Sequence, residues 1–101
     1  PDYANSIKES ISAVESICRI LTKESNFDNA INKLESMKLL EHKRMKEAVS
    51  KLFAYTNDKS SGIRHAIVEE HTPPKFEDAQ FILVTCSAFI NYINLKTVNL
   101  K

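Results

Sequence analysis

Glycine and proline are almost missing from the first half of this sequence, and tryptophan is missing altogether. The chain has one glycine, Gly62, and three prolines, Pro1, Pro73 and Pro74. Because these two residue types interrupt regular structure most strongly, little breaks the chain before residue 57. This composition favours long helices over short strands joined by tight turns, and it makes an all-α fold the first expectation.

Cysteine is also scarce, and its positions point away from metal chemistry. Cys18 and Cys86 both lie within apolar runs. We expect buried free thiols rather than a disulfide or a metal pair, because no CxxC or HExxH spacing occurs. The sequence therefore predicts no metal and no cofactor, and it fits a reducing, cytoplasmic setting.

The sequence lacks both a strong charge of one sign and a long apolar run. Its 14 basic and 13 acidic residues give a formal net charge of +1, so no global field attracts nucleic acid. Continuous apolar runs fall far short of the ~18 residues that a membrane span needs. We therefore expect one soluble domain over residues 1–101 with no membrane partner. The missing initiator Met suggests the C-terminal part of a longer protein.

Apolar residues recur at steps of three and four, which predicts amphipathic helices. Ser25 and Asn26 can cap the second helix, and Pro73 and Pro74 must end any helix before them. The expected fold is a small up-and-down bundle of four to five helices. They are expected at about 3–21, 27–34, 40–55, 63–70 and 76–95.

The same spacing predicts which side chains of the two later long helices face the core. For the third helix the predicted stripe is Met45, Ala48, Val49, Leu52 and Phe53. For the last helix it is Ala79, Leu83, Cys86, Phe89 or Ile90, and Ile93.

The segment from Arg64 to His71 is the part of the sequence that best suits chemistry. If Arg64 ends a short helix and His71 lies in the following loop, both side chains can converge on one pocket. Arginine would hold a phosphate and histidine would move a proton, which suffices for metal-independent attack of an RNA 2′-hydroxyl on the adjacent phosphorus. Alternatively, Arg64 forms an ion pair with Glu69, Glu70 or the acidic residues at the start of the last helix, and the spacing has no catalytic meaning.

Other polar groups have simpler interpretations. His42, near the start of the third helix, is expected to be solvated or to cap the helix. The basic residues over 38–51 alternate with acidic ones, so they predict a solvated face. Ser87 and Asn91 could line a pocket with Asn94, or they could ease the packing of helices.

Several segments resemble one bacterial helical domain. The domain is the C-terminal domain of abortive-infection (AbiJ-like) proteins. The resemblance is strongest at residues 62–66 (Gly-Ile-Arg-His-Ala) and 78–92, and it extends to residues 2–16 and 50–56. More widely, the chain resembles the HEPN superfamily (higher eukaryotes and prokaryotes nucleotide-binding). These helical bundles carry an arginine, a polar neighbour and, a few positions later, a histidine. Arg64, His65 and His71 match those three positions.

The resemblance implies a homodimer that acts in bacterial antiphage defence beside an N-terminal domain of the same parent protein. Two functions stay open. The first is a dimerisation and regulatory module with RNA as a candidate ligand. The second is a metal-independent endoribonuclease that uses Arg64 and His71 across a dimer interface, with His65 in support.

Overall fold

The fold of the described residues is entirely helical, as the sequence predicts. The computed structural model describes residues 2–57 and 73–100, with side chains up to residue 54 and again from residue 73. This part of the chain contains four helices and no strand: α1 (Tyr3–Thr22), α2 (Phe27–Ser36), α3 (Lys43–Asn57) and α4 (Phe76–Asn99). They form a small bundle in which α1 packs on the other three. The helix predicted at 63–70 lies outside the described residues.

Side chains just ahead of α1 and α2 fix where these helices begin. The Asp2 carboxylate accepts a hydrogen bond from the Asn5 backbone N–H at 2.9 Å. The Asn26 side chain accepts one from the Asn29 N–H at 3.0 Å, so Asn26 is the one of the two predicted residues that caps α2. Each bond satisfies a donor that the first turn of a helix leaves without an intrahelical partner.

Helix α3 begins three residues later than predicted, because Leu39 and Leu40 belong to the turn that closes α2. Their N–H groups both donate to the Leu34 carbonyl, at 2.9 and 3.2 Å. Both side chains are buried. The first carbonyl of the new helix is that of His42, which accepts from the Lys46 N–H at 2.9 Å. The His42 side chain is exposed, as expected for a residue at the helix start.

Three aromatic rings join α2, α3 and α4 in the core. Phe53 is 1% exposed, and its ring meets Phe27 and Phe89 edge-on at centroid separations of 5.9 and 5.5 Å. This geometry is the one that aromatic pairs prefer. Along α1 the buried apolar residues are Ile7, Ile11, Val14 and Cys18.

The predicted core stripe of α4 is wrong at one position. Ile82 is 5% exposed, whereas Leu83 is 52% exposed. The helix carries apolar residues on nearly every side, so the sequence spacing permits either neighbour as the inward residue. The buried residues of α4 are Ala79, Ile82, Cys86, Phe89 and Ile93.

The predicted stripe of α3 holds only in its second half. Phe53 is buried, and Val49 and Leu52 are partly buried against the core. Met45, by contrast, is 40% exposed, and Ala48 is exposed as well. The first turns of α3 therefore contribute no buried side chain, whereas Leu39 and Leu40 in the turn before them are buried.

The core assignment can be tested with two isoleucines of α1. Ile11 is 1% exposed and Ile20 is 68% exposed. We expect Ile11→Ala to lower the free energy of unfolding by about 2–5 kcal/mol, because it removes buried methyl groups and leaves a cavity. Ile20→Ala, the same change at an exposed site, should stay within about 0.5 kcal/mol. Urea denaturation followed by circular dichroism measures both, and equal losses would contradict this packing.

Candidate functional site

The three residues that the sequence singles out for chemistry are not in the part of the chain that the structure describes. Arg64, His65 and His71 all lie within the segment 58–72, which is outside the described residues. The convergence of Arg64 and His71 on one pocket therefore stays a prediction.

The surface that stands out is the side of α4 turned away from the core. Six residues occupy it at alternating steps of three and four, and all are exposed. We call them the outer stripe: Phe81, Val84, Ala88, Asn91, Leu95 and Val98. Its four large side chains are all more than half exposed: Phe81 59%, Val84 61%, Leu95 65% and Val98 67%. Helix α4 thus has a second apolar face opposite its buried one.

The outer stripe is bordered by polar residues that carry no charge. From Ala79 to Leu95 the helix has no Asp, Glu, Lys or Arg. The residues that flank the stripe are Gln80, Thr85, Ser87, Tyr92, Asn94 and Asn99. A helix face usually meets water through charged side chains, and here it does not.

The polar cluster predicted on α4 belongs to this outer side. Ser87, Asn91 and Asn94 are all exposed. Ser87 and Asn91 lie near the middle of the outer stripe, beside Ala88, so the centre of the stripe is made of small or short side chains. Such a centre permits close approach of another helix.

Helix α4 is also long and apolar enough to cross a membrane, judged by length and composition alone. It has 24 residues, and its most apolar 18-residue window has a mean hydropathy of 1.4 and is 22% buried. The lengths of continuous apolar runs underestimate how apolar this helix is, because Gln80, Thr85 and Ser87 interrupt the runs without adding a charge. Core helices of soluble proteins pass the same test.

The middle of the chain has the mixed surface that its sequence predicts. Lys46 forms an ion pair with Glu35 at 2.7 Å, and Arg44 forms one with Glu47 at 3.3 Å. An open depression of about 300 Å³ lies between them. It is lined by Glu35, Lys43, Lys46, Glu47, Ser50 and Lys51. Acidic and basic groups alternate there, so this surface has no strong preference for an anion.

Both thiols are buried and free, as expected. Burial raises the pKa of Cys18 from 9.0 to about 11, and the negative charge of Glu15 adds to the shift. Burial likewise raises the pKa of Cys86 to about 11. A protonated thiol is a poor nucleophile and a poor metal ligand. Among the described residues, no group of His, Cys, Asp or Glu could hold a metal ion.

Comparisons of this chain with protein-family models, curated proteins and solved structures give no match. The resemblance to HEPN domains therefore rests on the sequence segments alone.

The outer stripe is the feature that the core-stripe prediction passed over. Its signal is present in the sequence: α4 contains two interleaved sets of apolar residues at three-four spacing, and no charge marks either set as the solvent side. A search for a second stripe, rather than for one inner face, would have found it.

The raised thiol pKa values predict slow modification in the folded chain. At pH 8 we expect Cys18 and Cys86 to react with a disulfide reagent about 100-fold more slowly than unfolded thiols from ionisation alone, and more slowly still because of burial. The unfolded state also releases its thiol protons first. The contribution of the two thiols to the free energy of unfolding should therefore be fully present below pH 9 and be lost as the pH rises towards about 11.

Reagent absorbance in buffer and in denaturant measures the reactivity. Unfolding curves at pH 8 and pH 10.5 measure the stability, and a Cys18→Ala, Cys86→Ala double variant removes the thiol contribution from the pH dependence. Fast modification of the folded chain would contradict burial of both thiols.

Proposed function

We propose that this chain is a HEPN-like helical domain of a bacterial antiphage-defence protein of the abortive-infection type, and that it works as a dimerisation and regulatory module. The observation that supports association is the uncharged, exposed outer stripe of α4. The defence role rests on the resemblance of residues 62–66 and 78–92 to AbiJ-like domains. RNA is the candidate ligand of the segment that holds Arg64, and the cytoplasm is the proposed location.

Burial of apolar surface is the physical reason for association. Soluble monomers rarely expose contiguous apolar patches larger than a few hundred Å², and larger ones mark interaction sites. Phe81, Val84, Leu95 and Val98 follow one line along α4, each more than half exposed. A partner helix that covers this line removes the surface from water, and no residue of the stripe from Phe81 to Val98 carries a charge that it would have to desolvate.

A membrane is the competing partner for the same helix, and the packing of α4 favours a protein partner. Ile82, Phe89 and Ile93 on its opposite face belong to the core of the bundle. A spanning helix would have to leave that core. The outer stripe also contains Asn91, whose amide costs more in hydrocarbon than at a protein interface.

The second candidate function is a metal-independent endoribonuclease. The spacing of Arg64 and His71 favours it, since these residue types can stabilise charge on a phosphate and transfer a proton. His65 would support them as the polar neighbour of the HEPN signature.

Substitution on the outer stripe tests association. We expect the native chain to form dimers in sedimentation velocity runs over a range of concentrations. Val84→Glu should weaken dimerisation at least about tenfold, because pairing would bury its carboxylate. The matched control is Ile20→Glu, an equally exposed apolar position on α1. A native chain that stays monomeric throughout, or a control that dissociates as readily, would refute this proposal.

Incubation with RNA in excess chelator separates the two functions. An association module leaves the RNA intact. An endoribonuclease cleaves it, and Arg64→Ala and His71→Ala should each reduce the rate by about 10²–10⁴-fold. Arg44→Ala and His42→Ala provide matched controls, since both residues are exposed and distant in sequence from the signature. Cleavage that survives both signature substitutions rules the catalytic function out.

A further inference from the structure

The spacing of the residues in the outer stripe is the same in both directions along α4. Its steps are three, four, three, four and three residues, and they are symmetric about the level between Phe89 and Ile90. This spacing is that of a two-helix seam, in which apolar residues repeat every 3.5 positions on average. A two-fold symmetric contact needs a surface that complements itself. The stripe meets this requirement with the second helix in either direction, so the direction depends on charge and on the helix dipoles.

An antiparallel arrangement also matches the sizes of the side chains. It places Phe81 opposite Val98 of the second copy and Val84 opposite Leu95, so large apolar groups meet at both ends of the seam. At the centre Ala88 lies opposite Asn91. The two helices can therefore approach most closely at the two-fold axis, where the side chains are small.

Charge favours the antiparallel direction as well. Glu77 precedes Val84 by one heptad, so it lies on the line of the stripe at its amino end, and it is exposed. Parallel helices would place Glu77 against its own copy, which is unfavourable, whereas antiparallel helices separate the two by about 37 Å at 1.5 Å per residue. The dipoles of the two helices are also opposed in the antiparallel arrangement, which is favourable.

Asn91 gives this arrangement a defined register. Around the two-fold axis the two Asn91 residues are offset by only about 4–5 Å along the helices. Their amides can therefore donate to and accept from each other. A single buried asparagine in an otherwise apolar seam selects the register in which it finds its partner. A shift of the helices by one heptad would leave both amides among apolar side chains.

From these observations we propose that two copies of this chain pair through the outer stripes of their α4 helices, antiparallel, with Asn91 beside the two-fold axis. The inference rests on the proposed dimerisation and specifies its surface and direction. The occupant of the exposed face is a second copy, because it supplies the Asn91 amide that the first Asn91 needs and places large apolar side chains against large ones.

Spin labels at two positions beside the stripe test the direction. Gln80 lies far from the proposed axis and Ser87 lies close to it, and both are exposed. Gln80→Cys labels should be about 30 Å apart in the dimer, whereas Ser87→Cys labels should be within about 15 Å. Electron paramagnetic resonance measures both separations. The native chain, taken through the same labelling, controls for the buried Cys18 and Cys86.

Each other outcome overturns the inference in a recognisable way. Short separations at both positions indicate parallel helices, which leaves the proposed dimerisation standing. A dimer in sedimentation with no dipolar coupling at either position shows that another surface pairs. A monomer that floats with phosphatidylcholine vesicles and loses this binding on Val84→Glu shows a lipid partner. A monomer without vesicle binding refutes self-association itself.

Discussion

Packing of α4 along α1 is the constraint on which the rest of this structure depends. Their first residues, Tyr3 and Phe76, meet edge-on with ring centroids 6.2 Å apart, so the amino ends of the two helices lie side by side. From there the buried face of α4 continues through Ala79, Ile82, Cys86, Phe89 and Ile93. Since α4 is apolar on both sides, this contact decides which side is buried and which remains the outer stripe.

The short α2 and α3 complete the core at one place. Phe53 joins them to α4 through Phe27 and Phe89. Polar links at the periphery are weak by comparison: Lys96 and Glu41 lie 3.5 Å apart and are both partly exposed. Exposed ion pairs of this kind contribute little to stability. Apolar burial therefore holds the described bundle together, and it leaves the large side chains of the outer stripe exposed.

The sequence predicts the helices of this fold better than it predicts their faces. Three-four spacing and the Asn26 cap locate α1 and α2 closely, because both depend on local structure. The start of α3 is missed because the bonds from Leu39 and Leu40 to Leu34 form only when α2 closes in a turn. The choice of Ile82 over Leu83 depends on tertiary packing, which periodicity cannot resolve in a helix without charges.

The candidate residues Arg64, His65 and His71 stay predictions of the sequence, since the described residues do not include them. The outer stripe nevertheless limits how they could act together. His71 precedes Phe76 by only five positions, so the position of α4 in a dimer limits where His71 could lie.

The position of α4 in a dimer also limits whether two chains could share one active site. In an antiparallel pair the Phe76 residues of the two copies would lie about 40 Å apart along the helices. The five residue-to-residue steps from His71 to Phe76 span at most about 18 Å when extended. A site that combines His71 of one copy with Arg64 of the other would need the chain ahead of α4 to run back over much of this separation. Antiparallel pairing therefore favours Arg64 and His71 of the same chain as partners, whereas parallel pairing would bring both signatures to one end of the dimer.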